Sequence, residues 1–408
     1  MQNNIRSESA RSLARVERGN LCSGCGACAL IAPDKIKMEI QPPGYLRPCQ
    51  TGGVTEEQDQ MIAQVCPGLG QTVIAGDRPD DPLWGPYLEM HVGYATDPAL
   101  RHTASSGGAL SAVLVHLLKT GQVDAVVQTG AAADVPNANA AVLSRDERAV
   151  FDAAGSRYAP SAPLAALAPL LNGEGRFAFV GKPCDVAALR ALAARDPRID
   201  DRIPVMLSFF CAGVPSLTGS AAVIEALGTT LADTRAFRYR GNGWPGRATA
   251  TLNNGSTLSM SYHDSWGMIL SRHVQHRCKI CADGTGTAAD IVCADAWVSD
   301  AAGYPLFEER DGISLIVSRT EKGAAMLAAA AQAGEIQLEK FDTSNLASIQ
   351  PGQTVRRRAL LARLLALRCL GRATPRYRGL HLVAAARQNS PARNMRNFWG
   401  MVRRSLTR

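Results

Sequence analysis

The sequence predicts an α/β protein built on a mixed, largely parallel sheet, with a small cysteine-rich module before it and a helical, basic tail after it. Three observations predict this. Strand-like apolar runs alternate with helical patterns through the middle of the chain, eight of the eleven cysteines fall into two sets of four, and residues 355–408 hold fourteen Arg and no Asp or Glu. Strands alternating with helices imply a sheet covered on both faces. The formal charge of +8 is therefore a property of the tail, because the rest of the chain holds thirty basic against thirty-six acidic residues.

The first twenty residues are polar and basic with no apolar signal segment, and no later run reaches the ~18 apolar residues of a membrane span. A cytoplasmic protein is expected, in a reducing compartment where C-x-x-C spacings favour metal binding over disulfides. Residues 20–70 are rich in Gly, Cys and Pro with weak periodicity, as in a module ordered by ligation. From about Trp84 the chain runs through the strand-like MHVGYAT, then HTASSGG, the helical ALSAVLVHLLKTG and the strand-like VDAVVQTG. The same grammar returns at GRFAFV, GKPCD and VAALRALAA, and again at IPVMLSFF, CAGVPS and LTGSAAVIEALG. After YRGNGWPG (239–246) come two further strands, ADIVCADAW and GISLIVSR, and a helix at about 321–333.

LCSGCGACALIAP places Cys22, Cys25 and Cys28 at C-x-x-C-x-x-C spacing, which lets one loop wrap three corners of a [4Fe–4S] cube while glycines relieve backbone crowding. Bacterial ferredoxins continue C-x-x-x-C-P, but here the matching place reads Ala32-Pro33, so a fourth ligand must come from downstream. Cys66-Pro67 carries the Cys-Pro signature and is preferred, with Cys49 as the rival; a structural zinc knot is the alternative for the whole set.

Cys184 and Cys211 each follow a strand, which puts both thiols at the carboxyl edge of a parallel sheet, where ligands gather. Cys278 and Cys281 add a C-x-x-C in HRCKICADG, a loop that needs only to fold over that edge to complete four thiolates. A zinc site and separately packed thiols are the alternatives. Cys293 and Cys369 are assigned to packing.

Ser105, Ser106, Gly107 and Gly108 stand at a helix start, where free N–H groups favour an anionic phosphate; an ordinary N-cap is the competing reading. Asn242 and Trp244 in YRGNGWPG offer close backbone approach and an indole able to stack on a planar ring, against a plain surface turn. Lys182 would stand beside the second thiol set, or else be a solvated lysine.

The motifs SSGG, GKPCD, FCAGVPS, YRGNGWPG, CKICADG and ADIVCADAW, in this order after CSGCGAC, resemble the coenzyme F420 hydrogenase/dehydrogenase beta-subunit family over roughly residues 20–335. The resemblance implies FAD at Ser105 to Gly108, and one or two [4Fe–4S] clusters, two being favoured. It makes Cys22, Cys25, Cys28 and Cys66 ligands of a ferredoxin-like cluster, and Cys184, Cys211, Cys278 and Cys281 ligands of a core cluster. It further implies an oxidoreductase passing electrons from a soluble donor, a ferredoxin or the deazaflavin coenzyme, to an organic acceptor. The rival is a non-catalytic electron-transfer subunit of a larger complex with its substrate chemistry on a partner, and the family's members associated with surface polysaccharide genes make a link to that biosynthesis part of this reading. One departure is Cys293-Ala294 before Asp295-Ala296-Trp297, where relatives usually carry Gly ahead of the Asp.

Four regions follow: a ferredoxin-like iron–sulfur module over 1–80, a flavin-associated α/β region over 81–170, an α/β domain with the second cluster over 171–345, and the basic helical tail over 346–408. LLARLLALRCLG within that tail reads as a basic amphipathic helix able to lie on the inner face of a membrane or dock an acidic partner. No nucleic-acid partner is expected.

Overall fold

Along the central strands successive side chains enter two different apolar cores, so the sheet is buried on both faces. The computed structural model describes residues 10–297 and 308–406. Its main sheet contains β1 (Glu89–Ala95), β2 (Ala125–Ala131), β3 (Asn139–Ser144), β4 (Phe177–Val180), β5 (Val205–Phe209), β6 (Ile291–Asp295), β7 (Ser314–Ser318) and β8 (Ile336–Lys340). In β4, Phe177 and Phe179 join one core while Ala178 and Val180 join the other, the period of two that a pleated strand imposes. Helix α1 (Ala109–Lys119) fills the second core and α2 (Pro183–Ala193) the first.

The strand order is β8-β1-β7-β6-β5-β4-β2-β3. Only the pairs β2/β4, β4/β5 and β5/β6 are parallel. The pairs β2/β3, β6/β7, β7/β1 and β1/β8 are antiparallel. The sheet is thus mixed as expected, but its parallel part is the centre and not the majority. The cause is the placement of β1, which inserts between β7 and β8, two later strands that both run against it. Gly93 permits this insertion, because a Cβ there would run into the Gln337 carbonyl oxygen. Regions 81–170 and 171–345 contribute strands to this one sheet.

The N-terminal module is more regular than its composition implies. An antiparallel hairpin pairs Ile36–Gln41 with Tyr45–Gln50, and a helix over Glu56–Val65 opens on a capping box between Thr55 and Gln58. Ala10, Leu13, Ala29, Ala32, Ile36 and Ile62 give it an apolar core of its own.

The C-terminal region is woven into the body. Arg376–Arg378 pairs in parallel with Gly70–Thr72. Helix α3 (Pro351–Cys369) packs Leu360, Leu364 and Leu367 on Leu21, Leu69, Ile280 and Leu380, joined by Met401 of α4 (Pro391–Leu406). The apolar stripe of LLARLLALRCLG therefore faces protein, which corrects the expectation that this segment could lie on a membrane. Arg357 is buried and donates to the carbonyl oxygens of Leu83, Pro82, Leu380 and Ala282. Replacing Arg357 with Met leaves those acceptors without a donor and is expected to destabilise the fold by about 3 kcal/mol or more in a thermal melt. Arg358→Met, which removes one exposed contact to Gln388, should cost about 0.5 kcal/mol or less.

Candidate functional site

The carboxyl ends of β4, β5 and β6 meet the loop after β1 at one edge of the sheet, where ligands of open α/β sheets bind. A cavity of about 290 Å³ opens there, at the lower edge of the ~300–1,000 Å³ typical of small-molecule sites. Its walls include Ser105, Ser106, Gly108, Lys182, Cys211 and Cys293, and on the far side Arg157, Arg240, Asp295 and Trp297.

The first thiol set is drawn together by left-handed glycines. Gly24 and Gly26 have φ of 78° and 88°, and a Cβ on Gly26 would lie 2.7 Å from the Ala165 backbone nitrogen. Burial pushes Cys25 up to about 12, with further contributions from Cys66, Asp185 and Cys22. Cys28 is pushed well up by burial and then by Cys25, Cys22 and Cys66; Cys66 is pushed up to about 11 by burial and by Cys22. Cys22 and Cys66 pack against one apolar cluster and Cys28 and Cys66 against the next. Cys49 sits on the hairpin opposite Lys37, and Glu39 is what raises its pKa.

The second set gathers around Cys211. Burial, then Cys278, pushes Cys211 up to about 12, with Arg356 opposing and Cys281 adding. Burial and Asp185 raise Cys184, where Cys211 and Cys25 also act. Cys184 therefore links the two sets. The Cys211 N–H donates to the Gly284 carbonyl at 2.8 Å, and Gly213 has its ideal Cβ 3.2 Å from the Cys278 Cβ. Among the described residues no group of three or more His, Cys, Asp or Glu stands close enough to share a metal ion.

Helix α3 fixes this loop from outside. Gln353 and Arg356 donate to the Cys211 carbonyl at 2.9 and 3.3 Å, Arg356 to that of Cys278 at 3.0 Å and Arg363 to that of Lys279 at 3.0 Å. Tyr377 donates to the Ile280 carbonyl at 2.8 Å. From the sequence these side chains belong to a basic amphipathic helix meant for a membrane surface or an acidic partner; the Arg run was visible, its carbonyl partners were not.

Lys182 is buried, which corrects the solvated reading. Its Nζ pairs with Asp185 at 2.7 Å and donates to the Ser161 hydroxyl and carbonyl at 2.8 and 3.2 Å. Burial works against its charge, but Asp185 and the thiols of Cys184 and Cys211 leave its pKa raised.

The glycine loop divides in two. Ser106 donates to the Ala294 and Ile313 carbonyls at 3.3 and 3.2 Å, and the Gly107 N–H donates to the Ser314 hydroxyl at 3.0 Å, so both tie the loop to β6 and β7. Ser105 shares a hydrogen bond with Ser156, while Gly108, at φ 75°, leads into the open first turn of α1. Asn242 is exposed and does not line the cavity.

Trp244 lies one layer behind the wall. Its indole donates to Asp295 at 2.9 Å and packs 4.9 Å from Trp297, which is the ring that reaches the cavity. Arg240, overlooked inside YRGNGWPG, is buried, forms a two-pronged pair with Asp295 at 2.8 Å on each prong, and covers the Tyr262 and Trp297 rings. Arg157 donates to neutral oxygens of Asn139 and Ala138 and forms no salt bridge among the described residues.

The pocket at the carboxyl edge of this mixed α/β sheet is thus lined by thiols and cations. Residues 90–168 and 174–344 match the coenzyme F420 hydrogenase/dehydrogenase beta subunit N-terminal and C-terminal regions, and the chain belongs to that family. It is 27% identical over 274 residues to the coenzyme F420 hydrogenase subunit beta of Methanococcus voltae, covering 66% of this chain and 88% of that one. It is 26% identical over 252 residues to the F420-dependent formate dehydrogenase 1 subunit beta of Methanococcus maripaludis, covering 61% of each. A chain in the xenon-derivatised F420-reducing [NiFe] hydrogenase complex of Methanosarcina barkeri shares the fold with a TM-score of 0.51 at 20% identity, over 69% of this chain and 96% of that one.

Asp295→Asn strips the buried Arg240 of its counter-charge and is expected to cost about 3 kcal/mol in a denaturant titration. A loss below about 1 kcal/mol would show that Arg240 finds another anion.

Proposed function

We propose that this chain is an oxidoreductase subunit that carries electrons between a partner and a flavin in the carboxyl-edge pocket. Two iron–sulfur clusters would form the path, one on Cys22, Cys25, Cys28 and Cys66 and one on Cys184, Cys211, Cys278 and Cys281. The observation that carries this reading is contiguity: the helix Ala27–Ile31, which holds Cys28, packs against α2, which holds Cys184, and Cys211 of the second set lines the pocket.

The donor sets suit the groups. Three cysteines at C-x-x-C-x-x-C spacing in one glycine-rich loop are a ligation pattern of iron–sulfur clusters and are rare at zinc sites. At the pocket, the first-turn N–H groups of α1 and the Arg157 guanidinium suit the pyrophosphate of FAD, and Trp297 offers a planar face. When bound, the clusters supply single-electron steps and the flavin pairs them for hydride transfer. The chain's own part is to orient and to charge-balance: Ser106 and Gly107 hold the loop, Arg240 and Asp295 hold Trp297, and Lys182 keeps a cation beside Cys184 and Cys211. The names of the relatives make deazaflavin F420 the first substrate to test.

Anaerobic purification should yield a brown protein with about eight irons per chain and one flavin. Cys66→Ser should lose about half the iron while Cys49→Ser keeps all of it. Equal iron in both variants would remove Cys66 from the set, and a colourless wild-type protein would overturn the cluster reading.

We also assign the membrane contact expected of the basic tail to α4 in place of α3. No helix of the described residues is long and apolar enough to cross a membrane. On α4, however, Met395, Trp399 and Leu406 are exposed in one stripe, with Arg396, Arg403 and Arg404 along one side of it. The variant Met395→Ser/Trp399→Ser should lose at least tenfold in co-sedimentation with anionic vesicles. Unchanged sedimentation would remove the assignment.

A further inference from the structure

Arg277 is an oddity among the buried cations. It is 2% exposed, yet only one of its donor groups is satisfied, by a 2.8 Å bond from Nη2 to the Pro67 carbonyl, and its Nε and Nη1 have no partner. Other buried arginines are better supplied: Arg240 has a carboxylate, Arg357 donates to four carbonyl oxygens, and Arg319, though its Nε is also without a partner, donates through both other nitrogens to the Pro86 and Thr285 carbonyls. Arg277 forms no salt bridge among the described residues, and the Tyr377 ring, 5.8 Å away, gives only its face. An unpaired buried guanidinium costs several kcal/mol, so an anion belongs beside it.

Its position names the anion. Arg277 immediately precedes Cys278, and the carbonyl it binds belongs to the residue after Cys66, so one side chain spans from the second thiol set to the first. Its charge acts on Cys22 and Cys66 of one set, and Cys281, Cys184 and Cys278 of the other act on it. The remaining cations are partial: Arg47 acts on Cys22, Arg356 on Cys211, and Lys182 is already held by Asp185.

We propose that Arg277 is the shared counter-cation of the two clusters, with its open Nε–H and Nη1–H directed to their sulfurs. This rests on the two-cluster reading above. Each cluster with four thiolates is an anion that gains one negative charge on one-electron reduction, so a buried cation between them favours the reduced form of both. Hydrogen bonds to sulfur and local charge are among the terms that set cluster potentials. Arg277 is in this sense a positioning residue, and its signature is a potential.

The test is a redox titration of the full-length holoprotein followed by electron paramagnetic resonance, with iron and sulfide quantified. Arg277→Gln keeps donors and removes the charge; Arg277→Lys keeps the charge. In R277Q both midpoint potentials should fall by at least a tenfold change in the reduction equilibrium, which is 59 mV for one electron, while in R277K both stay within that margin. An R277Q protein with full iron and unmoved potentials, or with one potential moved alone, overturns the proposal. If R277Q does not assemble its clusters, R277K decides: full iron with both potentials inside the margin supports the shared cation, and loss of either cluster or a larger shift rejects it. Wild-type protein with a single cluster would remove the two-cluster reading and the shared cation together, whereas two clusters with unmoved potentials would remove the cation alone.

Discussion

The site depends on how the loop over residues 276–284 is held. That loop carries Cys278 and Cys281 with little secondary structure beyond one turn, His276–Lys279, so its carbonyl groups lack the ladder that would normally satisfy them. Helix α3 supplies the missing donors from more than seventy residues downstream: Arg356 reaches Cys278, Arg363 reaches Lys279, and Arg357 reaches Ala282. Arginine suits this task because its planar fork presents several donors to acceptors in different directions. The cysteine loop and the arginine helix thus form one structural unit, although the sequence places them far apart. The strand pairing of Arg376–Arg378 with Gly70–Thr72 extends the same logic to the first thiol set, since Gly70 lies four residues after Cys66.

Local chemistry was legible in the sequence wherever a few adjacent residues decide the conformation. The C-x-x-C-x-x-C loop with its left-handed Gly24 and Gly26, the strand-to-thiol turns at Cys184 and Cys211, and the helix starting after Gly108 all follow from short-range rules. The preference for Cys66 over Cys49 rested on the same kind of local signal, and the two do differ in setting: Cys66 ends a helix and precedes a proline, while Cys49 lies inside a hairpin strand. Strand neighbours were less legible. Nothing local in MHVGYAT says that its partners are GISLIVSR and the weakly apolar IQLEK, nor that β1 skips β2. Short strands such as β3 and β8, with half-exposed faces, lack the alternation that would reveal them.

The basic tail shows how composition can mislead about exposure. Fourteen arginines without an acidic residue read as a solvated or surface-seeking segment, yet Arg357 is fully buried. Charge is tolerated there because it meets carbonyl dipoles. A net-charge count cannot separate arginines that solvate a surface from arginines that line an anion. Only the acceptor at the end of each fork can.

The pocket wall obeys a related rule at smaller scale. Trp297 reaches the cavity because Trp244 stacks behind it, and Asp295 accepts from both the Trp244 indole and the Arg240 guanidinium. The motif around YRGNGWPG therefore meets the motif around ADIVCADAW through one carboxylate at the carboxyl end of β6. An aromatic ring that is to hold a planar ligand must be fixed before the ligand arrives, or the ordering cost falls on binding. Here the fixing groups are buried and paired, so the departure at Cys293-Ala294 alters the floor of the pocket next to them and leaves the Arg240, Asp295 and Trp244 brace in place. Variation in ligand is thus expected to come from the floor and the 105–108 loop, while the brace is kept because removing any one member strands a buried partner.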